Sequence, residues 1–160
     1  MAPTNRGFSM IDLLVSMSVI AILSMIVVPQ LLMAYDRGRQ RRSLGDMRNL
    51  STALSTYQLD HGGLFPSSGA GLLALQPDYY AGVPDDGWGT SYLYVGINSG
   101  CAYLLLGMGS DALIGPNPPD PWIGDSFEPD IWLSNGAFLQ APGLPDGSSE
   151  LTNIIAESCG

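Results

Sequence analysis

Residues 8–28, FSMIDLLVSMSVIAILSMIVV, are a largely apolar run with one charged side chain, Asp12. As an α-helix, these 21 residues span about 32 Å, which matches the hydrocarbon core of a bilayer. A cleavable secretory signal has a shorter apolar region that ends in small residues, whereas this run leads into Pro29. The stretch therefore predicts a membrane-spanning helix over residues 8–29 that stays in the mature protein.

The charges around this span and the residues at its start indicate opposite orientations. Arg6 precedes the span, and four arginines follow it: Arg37, Arg39, Arg41 and Arg42. Charge bias alone would keep the carboxyl-terminal side of a generic anchor in the cytoplasm. We give more weight to the residues at the junction between leader and span.

The junction, residues 6–14 (RGFSMIDLL), resembles the prepilin cleavage signal of the type IV pilin and pseudopilin superfamily. That signal is a short basic leader ending in glycine, then phenylalanine, three further residues, an acid and a long apolar helix. The resemblance implies that residues 1–7 are a leader peptide, which a prepilin peptidase removes on the cytoplasmic side by cutting between Gly7 and Phe8. It also implies methylation of Phe8, and it places Pro29 where many pilins have a helix-loosening proline.

Asp12 stands where the family usually has glutamate, and its chemical purpose follows from the cleavage. A cut after Gly7 creates a charged amine on Phe8 at the start of an apolar helix. Packing such helices together removes this charge from water, which costs several kcal/mol unless an opposite charge is near. We expect Asp12 of a neighbouring subunit to neutralise it and to fix the register between subunits. The alternative is an acid that reaches the lipid headgroups.

The amphipathic segment 30–61 continues the helix beyond Pro29, which loosens it without ending it. Apolar side chains recur there at steps of three and four residues: Leu44, Met47, Leu50, Leu54 and Tyr57. This spacing predicts one apolar stripe on a helix that reaches about His61. The Gly62-Gly63 pair predicts its end.

Residues 62–140 predict a small β-rich head. We expect strands over Trp88–Ile97, Cys101–Leu106, Asp130–Leu133 and Ala137–Gln140, and a short helix whose Leu72, Leu73 and Leu75 pack inward. The Asn135-Gly136 pair predicts a hairpin turn between the last two strands. The predicted fold class is α+β, with a long amino-terminal helix packed on a small antiparallel sheet.

Two parts of the head resemble the major pseudopilins of type II secretion systems. Residues 50–75, LSTALSTYQLDHGGLFPSSGAGLLAL, resemble the segment that follows the long helix in that family. Later residues resemble its turn-and-strand motif and its final signature: Pro84, Asp86, Trp88-Gly89, Tyr92, Tyr94, Gly109-x-Asp111 and Asp130-Ile131. In the family, these later motifs flank a calcium-binding loop.

The acidic loop 111–130 is the corresponding segment here, and it is longer than the usual pseudopilin loop. Its candidate calcium ligands are four aspartates: Asp111, Asp120, Asp125 and Asp130. Calcium takes six to eight oxygen ligands, which carboxylates and backbone carbonyls of such a loop can supply. The alternative is a solvated acidic loop that its prolines stiffen.

Cys101 and Cys159 are the only cysteines, and their wide separation matches no zinc or dithiol motif. In an oxidising compartment they can form a disulfide bond. The alternative is two unpaired thiols. We expect residues 141–160 to form a loosely held tail, unless a disulfide bond between Cys159 and Cys101 holds it to the head.

The charge distribution argues against nucleic acid as a partner. All six basic residues are arginines at or before Arg48, whereas 12 acids follow Asn49. An entirely acidic distal part would repel phosphates. An anchored hydrolase is also disfavoured, because the chain has one histidine and no G-x-S-x-G, H-E-x-x-H or phosphate-loop motif.

Taken with the resemblance, these features predict a structural, non-enzymatic subunit of a homo-oligomeric helical filament, most similar to a major pseudopilin that supports type II protein secretion. The alternative is a type IV pilin whose extracellular pilus serves adhesion or motility. The resemblance implies a single pass through the bacterial inner membrane with the head in the periplasm, followed by assembly into a periplasmic or extracellular filament. It implies as partners membrane lipid, the prepilin peptidase, an inner-membrane assembly platform and minor pilins or pseudopilins.

Overall fold

The computed structural model describes residues 9–114, 127 and 130–141. A single long helix, α1 (Met10–Asp60), precedes four strands: β1 (Leu93–Ile97), β2 (Ala102–Gly107), β3 (Ile131–Ser134) and β4 (Ala137–Gln140). Short 3₁₀ helices cover Gly71–Leu75 and Asn98–Gly100. The predicted α+β class, with a long first helix and a small antiparallel sheet, is confirmed.

The chain divides into two compact units, one ending at Arg37 and the other starting at Gly38. We call the second the head unit. It includes the carboxyl-terminal part of α1 as well as the sheet.

The end of α1 follows from the glycine pair after it. Gly62 and Gly63 have φ of 67° and 88°, in the left-handed region that residues with a side chain rarely adopt. The N–H of Gly63 donates to the carbonyl of Gln58 at 2.8 Å, which satisfies one of the last helical carbonyls. The helix ends at Asp60, one residue before the predicted end.

The predicted apolar stripe of α1 forms the helix side of the core. Met47, Leu50 and Leu54 are fully buried, while Leu44 and Tyr57 are partly buried against the same cluster. Side chains of the sheet complete it, among them Tyr94, Tyr103, Leu105 and Leu133. The spacing of three and four residues in the sequence therefore identified the helix face that binds the sheet.

The four strands lie in chain order, and each pairs antiparallel with the next. The turn between β3 and β4 is the predicted Asn135-Gly136 pair, and both residues have positive φ, as a type I′ turn requires. β2 and β3 each begin one residue later than predicted, and β4 has the predicted bounds.

The prediction that the first strand begins at Trp88 is wrong, because β1 begins at Leu93. Asp86 is the reason: its Oδ1 accepts the N–H of Trp88 at 2.9 Å and that of Thr90 at 2.8 Å. These bonds fold the residues after Asp86 into a turn that competes with strand pairing. Only an isolated bridge between Asp85 and Ser91 precedes β1 in this segment.

The prediction for the short helix is correct for two of its three leucines. Leu72 and Leu75 are buried, whereas Leu73 is 73% exposed. The segment is a 3₁₀ helix, in which residues three apart lie on one face. Leu73 therefore points away from the face that Leu72 and Leu75 share.

Candidate functional site

The first unit carries an apolar surface that the chain itself leaves uncovered. Every large apolar side chain in residues 10–33 is exposed, from 49% at Val19 to 87% at Met10. Among the described residues, α1 is the one helix that is long and apolar enough to cross a membrane, and none of its apolar window is buried within the chain. A surface of this extent needs lipid or other apolar helices around it.

Asp12 lies in the first turn of α1, and its contacts there reveal a second role. Its Oδ2 accepts the backbone N–H of Ser9 at 3.3 Å, and the Ser9 hydroxyl accepts the N–H of Ile11 at 3.4 Å. Ser9 is the N-cap residue and Asp12 stands three positions later, so the pair resembles a capping box in which the Ser9 hydroxyl accepts the second rather than the third helical N–H. The Ser-x-x-Asp spacing is the signal in the sequence from which this pair could have been predicted. Gly7 and Phe8 lie outside the described residues.

Pro29 lies inside α1, which continues through it. Proline has no N–H, so the carbonyl of Met25 lacks its usual donor. The serine hydroxyls of the span bond to carbonyls of their own helix: Ser16 to Asp12, Ser18 to Val15 and Ser24 to Ile20, at 2.7–2.8 Å. These hydroxyls can therefore lie in an apolar environment without losing a hydrogen bond, as small residues at helix contacts in lipid must.

The structure describes only the two ends of the acidic loop. The N–H of Ser110 donates to the carbonyl of Phe127 at 2.8 Å, which brings these ends together. Asp130 is 4% exposed, whereas Asp111 is exposed and its Oδ1 accepts the N–H of Leu113 at 3.1 Å. Asp120 and Asp125 lie outside the described residues.

The donor chemistry of this loop fits a hard cation, because carboxylate and carbonyl oxygens are the ligands that calcium takes. Within the described ranges, however, no group of three or more His, Cys, Asp or Glu side chains is placed to hold a metal ion. Calcium binding by the four aspartates therefore stays a prediction.

Cys101 is disulfide-bonded and directly precedes β2. Cys159, its predicted partner, lies outside the described residues. The Cys101–Cys159 pairing stays a prediction.

Three tyrosines are buried in the core of the head unit. Burial raises the pKa of Tyr92, Tyr94 and Tyr103 above the usual value of 10.0. Each hydroxyl still donates a hydrogen bond: Tyr92 to the Ser43 carbonyl at 3.3 Å, Tyr94 to the Pro66 carbonyl at 2.7 Å and Tyr103 to the Ser51 hydroxyl at 2.9 Å. The neutral phenols thus tie the sheet to α1 and to the segment after it.

Known proteins have sequences similar to that of this chain. The family model of type II secretion system protein G matches residues 30–126, which cover the whole second half of α1, β1, β2 and much of the acidic loop. The chain belongs to the type II secretion system protein G family. The predicted resemblance to major pseudopilins of type II secretion is thereby confirmed.

Individual members of the protein G family align over most of their length. The type II secretion system core protein G of Pseudomonas aeruginosa is 30% identical over 135 residues, covering 76% of this chain and 94% of the relative. The core protein G of Escherichia coli is 28% identical and covers 69% of this chain and 86% of the relative. That of Vibrio cholerae is 27% identical, with coverage of 76% and 91%.

Proposed function

We propose that this chain is the major pseudopilin of a type II secretion system, a structural subunit that assembles with copies of itself into a helical filament. Membership of the protein G family supports this function. The observation that carries it is the exposed apolar surface of residues 10–33, whose large apolar side chains are not buried within the chain. The same surface serves two environments in turn: lipid before assembly, and the equivalent helices of other subunits afterwards.

In this proposal the subunit first spans the inner membrane once, with its head in the periplasm. A prepilin peptidase removes residues 1–7 and methylates Phe8 on the cytoplasmic side. An inner-membrane platform, with minor pseudopilins, then transfers subunits from the bilayer into a periplasmic filament. The match to protein G favours this secretion filament over an extracellular adhesive or motile pilus.

Asp12 would act at the transfer step. In the single chain it caps its own helix through Ser9. In the filament, the Phe8 amine of a neighbour would be the stronger partner, because a charged donor makes a stronger hydrogen bond than a backbone N–H. A buried amine without a counter-charge is costly, so only the axial register that pairs the two charges would be stable.

We also propose that the acidic loop binds calcium through Asp111, Asp120, Asp125 and Asp130. Support comes from the Ser110–Phe127 bond, which holds the two ends of the loop together, and from the buried carboxylate of Asp130. Buried carboxylates are stabilised by hydrogen bonds, opposite charges or metal ions. A bound ion would order the loop rather than supply any chemistry.

The test of function is deletion of the gene in its own bacterium. We expect proteins exported by the type II pathway to disappear from the medium and to accumulate in the periplasm, and the intact gene on a plasmid to restore release. A variant that lacks residues 8–28 is the matched control, since it retains the head but should not restore secretion. Normal secretion combined with the loss of surface pili would contradict the proposal and favour the pilus.

A further inference from the structure

The sheet of the head unit has a second apolar face, opposite to the one that packs on α1. Residues directly opposite each other in an antiparallel pair project to the same side. Val95 pairs with Leu104, and Leu106 pairs with both Leu93 and Trp132. We call this the outer face, and with Leu139, which packs on it, its members are Leu93, Val95, Leu104, Leu106, Trp132 and Leu139.

Part of the outer face is deeply buried. Leu106, Trp132 and Leu139 are 4%, 5% and 1% exposed, and they form a cluster separate from the core under α1. Among the described residues, one further apolar side chain, the partly buried Leu104, packs against them. The indole N–H of Trp132 is buried and has no acceptor among these residues. The face therefore needs a cover that supplies both apolar side chains and a hydrogen-bond acceptor.

The chain after β4 leaves from an edge of the described sheet. β4 is the last strand in the strand order, and Ala141 directly after it is 5% exposed and packs with the core under α1. At the other end of the segment is Cys159, the only cysteine in the sequence besides Cys101. Cys101 is disulfide-bonded and directly precedes β2, which lies two strands away from β4.

The sheet dimensions allow the segment to return to Cys101. Gln140 pairs with Trp132, which pairs with Leu106, so the segment starts near the level of Leu106. Cys101 is about 17 Å away along β2, and β4 and β2 are about 10 Å apart, which gives a direct path of about 20 Å. The 18 residues from 142 to 159 can reach about 60 Å when extended. Because α1 packs on the other face, the outer face is the open route.

The composition of the segment suits such a cover. Residues 142–150, PGLPDGSSE, are rich in turn-forming and polar residues. Residues 151–155, LTNII, place Leu151, Ile154 and Ile155 at steps of three and one, so one helical turn would present all three on one side. Asn153 and backbone carbonyls offer acceptors for an indole N–H.

We propose that residues 142–160 form a strap across the outer face, with Leu151, Ile154 and Ile155 on Trp132 and its neighbours, and that a Cys101–Cys159 disulfide bond fastens its end. The strap turns a two-layer arrangement of helix and sheet into three layers. Two other covers compete with it: residues 115–126 of the same chain, and the head of a second copy.

Photo-crosslinking in the intact, oxidised chain distinguishes the three. A benzophenone amino acid replaces Val95, which is 37% exposed on the outer face, and in a second protein it replaces Leu73, a 73% exposed position outside it. After irradiation, reduction and cleavage at Asp and Glu, we expect the Val95 probe to be joined to a peptide from within residues 146–160 of the same chain. The Leu73 probe should give no such product. Joining of the Val95 probe to residues 115–126 or to a second chain, or photoconversion without any joined peptide, overturns the strap.

Three double variants, one of them a control, test the chemistry of the strap. Ile154→Asp with Ile155→Asp should lower the yield of the Val95 product several-fold, whereas Ser148→Asp with Ser149→Asp adds the same charge to the polar part and should leave the yield unchanged. Cys101→Ser with Cys159→Ser should also lower the yield. Equal yields in all four proteins would overturn the proposed contacts.

A measurement on the unmodified sequence guards against probes that disturb folding. In detergent micelles, labelled isoleucine methyl and tryptophan indole groups should show nuclear Overhauser effects between Ile154 or Ile155 and Trp132. Effects that connect Trp132 only to other parts of the chain would contradict the strap.

Discussion

The Tyr103 hydroxyl, on β2, donates a hydrogen bond to the Ser51 hydroxyl of α1 at 2.9 Å. The same oxygen accepts the N–H of Gly136, in the turn between β3 and β4, at 3.1 Å. Tyr103 is fully buried and Ser51 is 8% exposed. One phenol therefore connects the helix, the middle of the sheet and the last hairpin.

Tyr103→Phe should destabilise the head unit by about 1–3 kcal/mol, because it leaves the Gly136 N–H without its acceptor and Ser51 without its donor. Chemical denaturation of the full chain in detergent measures this change. Tyr80→Phe, at a partly exposed position, is the control, and we expect it to stay within about 0.5 kcal/mol of the unmodified protein. Equal effects of the two substitutions would show that the Tyr103 hydroxyl contributes nothing specific.

Gly87→Ala should destabilise the head unit because the segment at Gly87 touches α1 directly. A Cβ there would lie 2.7 Å from the carbonyl carbon of Arg39 and closer still to its oxygen. The N–H of Gly87 also donates to the Ser43 hydroxyl at 2.8 Å, a bond that any shift would lengthen. Overpacking of this kind costs about 1–3 kcal/mol. Gly82→Ala is the matched control because its Cβ would meet nothing within 4 Å, and a comparable loss in it would contradict the argument.

The secondary structure of the head unit could be predicted largely from local patterns. The stripe through Met47, Leu50 and Leu54 gave the buried face of α1, and the Asn135-Gly136 pair gave the last hairpin. These signals lie within a few residues of the feature that they cause, so one sequence is enough to read them.

Contacts between distant residues were not accessible in the same way. Tyr103 and Ser51 are 52 positions apart, and no local sequence pattern around either residue predicts the hydrogen bond between them. The predicted start of β1 at Trp88 was too early, because the Asp86 side chain accepts the N–H groups of Trp88 and Thr90 and so competes with strand pairing. In the first turn of α1, the sequence pattern singled out Asp12 but not its capping bond to Ser9.

The head unit should unfold at a lower alkaline pH than it would if its buried tyrosines had their usual pKa. Burial raises the pKa of Tyr92, Tyr94 and Tyr103, so the folded state keeps phenol protons that the unfolded chain loses near pH 10. Stability is therefore fully present below pH 10 and falls as the pH rises above it, by about 1.4 kcal/mol per pH unit for each tyrosine. Denaturation between pH 9 and 12, followed by tyrosinate absorbance, measures the slope. Tyr94→Phe should reduce that slope by about one third, and an unchanged slope would contradict the assignment.

Substitutions of Asp12 separate its charge from its capping bond. Asp12→Ala removes both, Asp12→Asn keeps a capping oxygen but removes the charge, and Asp12→Glu keeps the charge. If Asp12 neutralises the Phe8 amine of a neighbour, the Ala and Asn variants should insert into the membrane but assemble poorly, while Glu assembles at least as well as Asp. Membrane fractionation and the yield of sheared filaments measure the two steps. Normal assembly of the Asn variant would mean that capping of Ser9, rather than charge, is what the filament needs.

Processing after Gly7 is a prerequisite for the proposed role of Asp12, since only cleavage creates the Phe8 amine. Mass spectrometry of assembled protein should therefore give a chain that begins at methylated Phe8. Gly7→Ala should slow or block the cut and leave residues 1–7 in place, whereas Asn5→Ala, within the leader, should leave it unchanged. Assembled filaments that retain Met1 would contradict both the cleavage and the proposed charge pairing.

Calcium should raise the melting temperature of the full chain if the acidic loop binds it. The Ser110–Phe127 bond brings the loop ends together, so part of the geometry that a bound ion needs is present without it. An ion that binds the folded state alone stabilises it by about 2.7 kcal/mol at a hundredfold excess over Kd. We expect melting several degrees higher in millimolar calcium than in chelator, and a smaller effect of magnesium, which requires stricter octahedral geometry.

Two isosteric substitutions locate the ion. Asp130→Asn preserves the shape of a buried side chain but removes its charge, and it should abolish the difference between calcium and chelator. Asp78→Asn removes an exposed charge outside the loop and should leave the difference intact. Because the two variants change the net charge equally, a general screening effect of calcium on this acidic protein would reduce both responses alike. Identical melting of the unmodified chain with calcium and with chelator would contradict calcium binding. The alternative, an acidic loop that its prolines stiffen, would then be favoured.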